Sequence, residues 1–542
     1  MSAVTYRPSE AVDFVVIGAG AAGGVMAKEL SVAGFQVVVL EQGPFLRAKD
    51  FTHSEVDVLF RAALINDPHK QPNTFRRTAD QPAKRQQAVE YARLVGGGSV
   101  HYTANSWRFH PEDFHERSTL GAIPGADLQD WPITYDELEP YYTKAEWELG
   151  ISGLAGANPF DGPRSKPYPL PPMPVKGSGV LFERGAKKIG FHPFPAPVAV
   201  LSQPYRGRGA CSHCGWCEAF GCEMNAKSST LAALIPTAEK SGRCEIRPES
   251  YVSQIEAGAD GRVKAVIYFD REGREVKQLA KAMVLCANGA ETPRLLLMSG
   301  LANSSGLVGK YLMLDTGVIA TGLFDHPVND YKSIVVTRVA HDLYRSDPRR
   351  GFYGGAGLDA RMDLTPSGFA NVGMPKDGPQ WGSAWKRDMA EYFTRTSGIL
   401  SHGSCLAVEQ NSISLDPNVK DAWGLPAIRV TFKNHPDDLK AMDFALTYQK
   451  AILEAAGAKK IWNDPIEDVT YSRHLMGTCR MGNNPKTSVV DRWNRSHDVR
   501  NLFIVDGSSL VTAARQQPTE TIQALAYRAA EYMSQAARRG EL

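Results

Sequence analysis

The run Phe14 to Ile17 passes straight into Gly18-x-Gly20-x-x-Gly23, and this junction constrains the fold more than any other feature of the chain. Four apolar residues without alternation suit a parallel strand buried on both faces. The glycines then take the places of a dinucleotide-binding turn. The first allows a tight bend, the second lets backbone approach a pyrophosphate, and the third packs helix against strand. A helical stretch over 21–33 closes at Gly34, and a second buried strand, Val37 to Leu40, ends at Glu41. A carboxylate there can accept hydrogen bonds from ribose hydroxyls and disfavours a phosphorylated ribose. The glycines alone do not choose between NAD and FAD.

The strand-then-glycine pattern returns at Met283 to Ala287 before Gly289, and at Leu502 to Val505 before Asp506 and Gly507. We therefore expect an α/β chain, α+β overall. Its Rossmann-like cofactor domain is assembled from discontinuous segments, 1–315 and 475–542, with a C-terminal helix packed back on the sheet. A polar stretch over 50–90 reads as a lid or wrapping loop. The seven prolines between Pro159 and Pro174 read as an extended strap. Residues 316–474 carry strand-like pieces at Ser333 to Val339, Ile428 to Phe432 and around Leu406. They are expected to form a substrate domain on an antiparallel sheet.

Composition excludes several classes. With 43% hydrophobic and 22% charged residues over 542 positions, the chain is an ordinary globular body. Lys and Arg number 61 against 59 Asp and Glu, a net charge of +2 without long single-sign runs, so nucleic acid is not an expected partner. No apolar run reaches the roughly 18 residues of a membrane span, and the first residues lack the features of a signal peptide. The expectation is a cytoplasmic protein, or a periplasmic one if a partner subunit carries it out.

Four of the 8 cysteines, Cys211, Cys214, Cys217 and Cys222, lie on a loop over 205–228 with the spacing C-x2-C-x2-C-x4-C. A disulfide scaffold does not suit a chain of this size. An iron–sulfur cluster, a structural zinc and a reduced, metal-free loop remain open. The strict two-residue gaps lean toward the cluster, because zinc usually draws its ligands from two separated pairs.

Six segments in order resemble the glucose-methanol-choline (GMC) oxidoreductases, flavoproteins that oxidise alcohols and sugars. They are VIGAGAAGGVMAKELSVAGFQVVVLEQG, VGGGSVHYTANSWRFHPEDF, WPITYDELEPYYTKAEWELG, NGAETPRLLLMS, HLMGTCRMG, and NLFIVDGSSLV with QPTETIQALAYRAAE. The resemblance runs through nearly the whole length and implies FAD. It implies that Gly97, Gly98 and Ser99 lie along the flavin and pyrophosphate, and that Val252 approaches the adenine. Asp506 and Gly507 would meet the ribityl and phosphate groups. Gln517, Pro518 and Thr519 would sit beside the isoalloxazine, with His101 and Tyr102 lining its re-face. Large subunits of bacterial sugar dehydrogenases within this broad family carry a three-iron four-sulfur cluster at the place of the cysteine loop, although with a different cysteine spacing.

Alcohol oxidation needs a base for the hydroxyl proton and an acceptor for the carbinol hydride, here flavin N5. His474, which opens HLMGTCRMG, matches the family's catalytic histidine. The residue that completes the pair is usually His or Asn, and Gln517 stands there instead. Its longer side chain displaces the contact, so Gln516 is an alternative. His497 reads as structural. Tyr353, Trp381, Trp385 and Tyr392 are candidates for substrate contacts. The reading is a dehydrogenase of an alcohol or sugar that passes electrons to a non-oxygen acceptor, through a small subunit, a cytochrome c or a quinone-linked protein. An oxidase making hydrogen peroxide, a flavin-containing lyase and an electron-transfer subunit are the alternatives.

Overall fold

The computed structural model describes residues 4–362 and 364–542. Its first sheet has the strand order Cys244–Arg247, Val37–Leu40, Val12–Ile17, Glu275–Leu285, followed by Val263–Phe269 and Tyr251–Ala257. Leu502–Ile504 also pairs with Glu275–Leu285. The strands around Val12–Ile17 are parallel, with Val16 level with Val39 on one side and Val284 on the other. Alternate residues serve two cores. Phe14 and Val16 pack with the helices Ala21–Val32 and Thr519–Arg538, while Val15 and Ile17 pack on the opposite face with Met283 and Leu285. Burial on both faces explains the unbroken apolar run, each Val or Ile contributing about 1.5–3 kcal/mol.

A second, six-stranded sheet has the order Lys460–Asn463, Ile319–Leu323, Thr396–Gly403, Ala356–Arg361, Arg338–Ala340, Phe194–Pro195, antiparallel throughout. Ala356, Leu358 and Ala360 turn toward the helices Gly177–Lys188 and Pro436–Ala456. The period of two then aims Asp359 and Arg361 at the other face, where Asn105 lies 3.5 Å from the Asp359 carboxylate.

Three expectations for this region differ from what is observed. Ile428 lies in Pro426–Thr431, which belongs to a separate four-stranded sheet and pairs in parallel with Asn73–Arg76. The stretch over 50–90 therefore supplies two strands, Asn73–Arg76 and Lys84–Arg85, as well as loops. Leu406 is not in a strand, its N–H being taken by the Asp438 carboxylate at 3.1 Å. Of Ser333 to Val339, only Arg338 and Val339 are extended within a strand.

Candidate active site

At the carboxyl ends of the parallel strands lies a cavity of about 230 Å³. Gly18, Gly20, Glu41, Gly97, Gly98, Val252, Asp506, Gly507, Pro518 and Thr519 all line it. Segments separated by hundreds of residues thus meet at the crevice where open α/β sheets bind ligands. The glycines are forced by contact. A Cβ on Gly23 would run into the Gly18 carbonyl oxygen, and one on Gly97 would stand 2.5 Å from the Gly20 Cα. Gly98 differs, because a Cβ there would meet no protein atom within 4 Å and would project into open space.

Three expected cofactor residues do not line this cavity: Gly23, Ser99 and His101, of which His101 lines the neighbouring larger one. Gly23 acts behind it, and Ser99 braces the loop, donating to the Gly96 carbonyl at 2.7 Å and accepting from the Thr230 N–H at 3.1 Å. The Glu41 carboxylate accepts from the N–H groups of Ala19 and Gly43, each at 2.9 Å, so it also holds the glycine turn in shape. Burial pushes its pKa up to about 7 despite those two bonds. The Asp506 carboxylate accepts from Thr292 Oγ1 at 2.6 Å and from the Ser508 N–H at 2.9 Å, and burial raises it as well.

A larger cavity of about 810 Å³ opens from the same wall, lined by His101, Asp315, Arg361, His402, His474 and Gln517 among others. Gly98, His474 and Thr519 line both cavities. His474 immediately precedes Leu475, which pairs with Leu314, so the register brings Asp315 alongside it. The His474 Nδ1 lies 3.1 Å from Asp315 Oδ2. Burial alone would raise Asp315, but His474, with His402 and Arg361 behind it, holds the carboxyl below its ordinary value. An ionised carboxylate only accepts, so Nδ1 bears a hydrogen toward it, and in the neutral tautomer the lone pair is the one on Nε2.

His101 is buried, its Nε2 has no hydrogen-bond partner in the protein, and burial drives its pKa down to about 3. The ring is therefore neutral, and its residue lines the larger cavity. Gln517 reaches this cavity, whereas Gln516 turns away to the Arg108 carbonyl. The four aromatic residues expected at the substrate do not line it. Tyr353 is buried against Glu116, Trp381 is exposed, and Trp385 and Tyr392 pack on a satellite cluster around Phe369. His497 lies apart, its Nε2 held at 2.9 Å from Ser488 Oγ. The residues that sequence reasoning missed are Asp315, Asp359, Arg361 and His402. A polar Asp359 and Arg361 alternating with Ala356, Leu358 and Ala360 was the signal that could have flagged two of them.

Cys211, Cys214, Cys217 and Cys222 line one small pocket with Lys227. The Lys227 ammonium donates to the carbonyls of Cys217, Phe220 and Tyr102 at 2.5, 2.8 and 3.0 Å, tying the loop to the residue beside His101. Burial raises the Cys211 thiol and takes Cys217 up to about 12. Among the described residues no group of three His, Cys, Asp or Glu side chains is arranged around one metal ion.

The first cavity suits FAD. Glu41, Val252, His474 and Thr519 line it together with Gly18, Gly20, Gly97 and Gly98, whose bare backbone leaves room for a ligand. Family models described as GMC oxidoreductase match residues 12–328 and 407–526. The 2-methyl-1,2-propanediol dehydrogenase of Mycolicibacterium austroafricanum is 34% identical, covering 96% of this chain and 95% of its own. The gluconate 2-dehydrogenase flavoprotein of Pantoea cypripedii is 31% identical over 95% of this chain and 92% of its own. The formate oxidase of Aspergillus oryzae shares the fold, with a TM-score of 0.70 at 17% identity over 99% of this chain and 100% of its own. Matches of this extent, on a chain whose glycine turn and His474 wall meet at one cavity, make the protein a member of the GMC oxidoreductase family.

Proposed function

We propose that the protein oxidises a hydroxyl group of an alcohol or sugar to a carbonyl and passes the electrons to an acceptor other than oxygen. The observation that carries this reading is the His474–Asp315 pair, set on the wall shared by the cofactor cavity and the larger, solvent-connected one. FAD, when bound, supplies an acceptor for the carbinol hydride. Gly18, Gly20, Gly97, Gly98, Asp506 and Gly507 would hold it, with Glu41 and Val252 toward the adenosine and Pro518 and Thr519 toward the ring. His474 Nε2 takes the hydroxyl proton, and Asp315 holds the ring by Nδ1 and steadies the positive charge that forms. Gln517 hydrogen-bonds the substrate oxygen from the opposite side.

Dehydrogenases at 34% and 31% identity support a non-oxygen acceptor. The four-cysteine loop supports it further, since its donor set of four thiols suits an iron–sulfur centre, and Lys227 places a buried cation beside it. Such a centre, and a small subunit, cytochrome c or quinone-linked partner beyond it, are part of this proposal. Among the described residues no helix is long and apolar enough to cross a membrane.

The test is anaerobic incubation of the holoenzyme with a panel of vicinal diols and sugars. One carbonyl product formed per flavin reduced is expected. Carbonyl formation without flavin reduction, or no reduction by any member of the panel, would overturn the reading.

A further inference from the structure

Glu90, Glu218, Asp315, Asp464, Glu467 and Asp468 all line the larger cavity, against two guanidinium groups, those of Arg361 and Arg473. Both guanidiniums are already engaged. Arg473 Nε lies 2.6 Å from Glu90 Oε1 and its Nη1 2.7 Å from Glu218 Oε1, while Arg361 Nε lies 2.6 Å from Asp359 Oδ1. Arg473 thus sits between two carboxylates, and the wall around it keeps an excess negative charge. A carboxylate on a substrate would have to break one of these pairs to find a cation, and would leave a stranded charge behind.

The rest of the charge stands where the cavity meets solvent. Asp464 and Glu467 are exposed and Asp468 partly so, all on the segment that joins Lys460–Asn463 to Leu475–Met476. Asp464 is matched by Lys376 at 2.7 Å. Among the described residues no cation forms an ion pair with Glu467 or with Asp468, whose carboxylate accepts from the Asn434 N–H at 3.1 Å. Arg77 reaches the same segment but donates to the backbone carbonyls of Asp468 and Val469, at 3.0 and 2.9 Å. A cleft lined by one sign of charge between low-dielectric walls concentrates ions of the opposite sign and repels those of its own.

We propose that Glu467 and Asp468 are specificity-determining residues: backed by the excess carboxylate beside Arg473, they draw in hydroxyl compounds that carry an ammonium group, amino alcohols or amino sugars, and turn away hydroxy acids. The inference rests on the proposed alcohol oxidation and names the class of alcohol. The discrimination is made through the field of the cavity, at encounter and binding, so it shows in the second-order rate of flavin reduction at low substrate concentration. It fades with salt, because the screening length shrinks from about 30 Å at 0.01 M to about 3 Å at 1 M ionic strength.

Two matched sets of probes test it on the FAD-loaded protein: aminopropanediol, propanediol and glycerate, then glucosamine, glucose and gluconate. Members of a set differ in intrinsic reactivity, so the deciding quantity is how the ratio of the ammonium rate to the carboxylate rate responds to salt and to residue 467. In the wild type that ratio should fall about tenfold or more between low and high salt. At low salt it should fall in Glu467→Gln and further in Glu467→Lys, exchanges at an exposed position that the fold tolerates. A ratio that neither salt nor Glu467→Lys moves, a hydroxy acid preferred at low salt, or reduction by the neutral members alone overturns the proposal. Failure of every probe to reduce the flavin would instead overturn the alcohol-oxidation reading, so the two failures are separate.

Discussion

His474 and Asp315 meet across the two-stranded pairing of Met313–Leu314 with Leu475–Met476, Nδ1 3.1 Å from Oδ2, on the wall that the two cavities share. Removing Asp315 leaves the ring in place but frees its tautomer. Asp315→Asn should bind FAD normally and slow flavin reduction about tenfold to a hundredfold. Stopped-flow reduction and flavin retention on dialysis measure the two effects.

Gly97 and Gly98 are adjacent yet should respond oppositely to alanine. At Gly97 the new Cβ would stand 2.5 Å from the Gly20 Cα at a backbone φ of +54°, so Gly97→Ala should lower the melting temperature of the cofactor-free protein. At Gly98 no protein atom lies within 4 Å. Gly98→Ala should leave that melting temperature unchanged and weaken FAD binding, as read by flavin retention on dialysis.

Glu41 and Asp359 predict opposite slopes of stability with pH. The Glu41 carboxyl is protonated up to about pH 7 in the fold but only to about 4.5 when unfolded. The folded chain therefore binds the extra proton, and this contribution, on the order of 3 kcal/mol, is lost as pH rises from about 4.5 to 7. Asp359 has the reverse sign. Although burial alone would raise it, Arg361 and His402 hold it down at about 2, so its contribution is present above about 4 and lost as pH falls toward 2. Denaturant titrations of the cofactor-free protein should show Glu41→Gln flattening the neutral slope and Asp359→Asn flattening the acid one.

The cysteine loop gives a compositional prediction. Purified anaerobically, the protein should carry about three or four irons per chain. Cys214→Ser with Cys217→Ser should remove the iron, leave flavin reduction by substrate intact, and abolish transfer to an artificial one-electron acceptor. Iron-free wild type with unchanged acceptor kinetics would make the loop structural.

The cofactor cradle was legible because its information is local. A buried strand, three glycines and Glu41 fall within one short βαβ unit, and HLMGTCRMG marks His474 by its own neighbours. The opposite wall was not. His402 and Asp359 are 43 positions apart, and only the register between two strands makes them touch. Asp315 carries no motif at all; it is placed by the pairing of Leu314 with Leu475. Pro426–Thr431 went to the wrong sheet for the same reason, since its parallel partner Asn73–Arg76 lies some 350 residues earlier and nothing in its composition names that partner. The aromatic residues failed as substrate candidates because aromatic character serves a satellite core as readily as a binding wall.

The most direct test of the account compares anaerobic flavin reduction by a vicinal diol in the wild type and in His474→Ala, each loaded with FAD. The account predicts that both retain flavin, that the wild type bleaches, and that the variant does so at least about a hundredfold more slowly. Bleaching at near wild-type rate in the variant would contradict it and remove His474 from the chemistry.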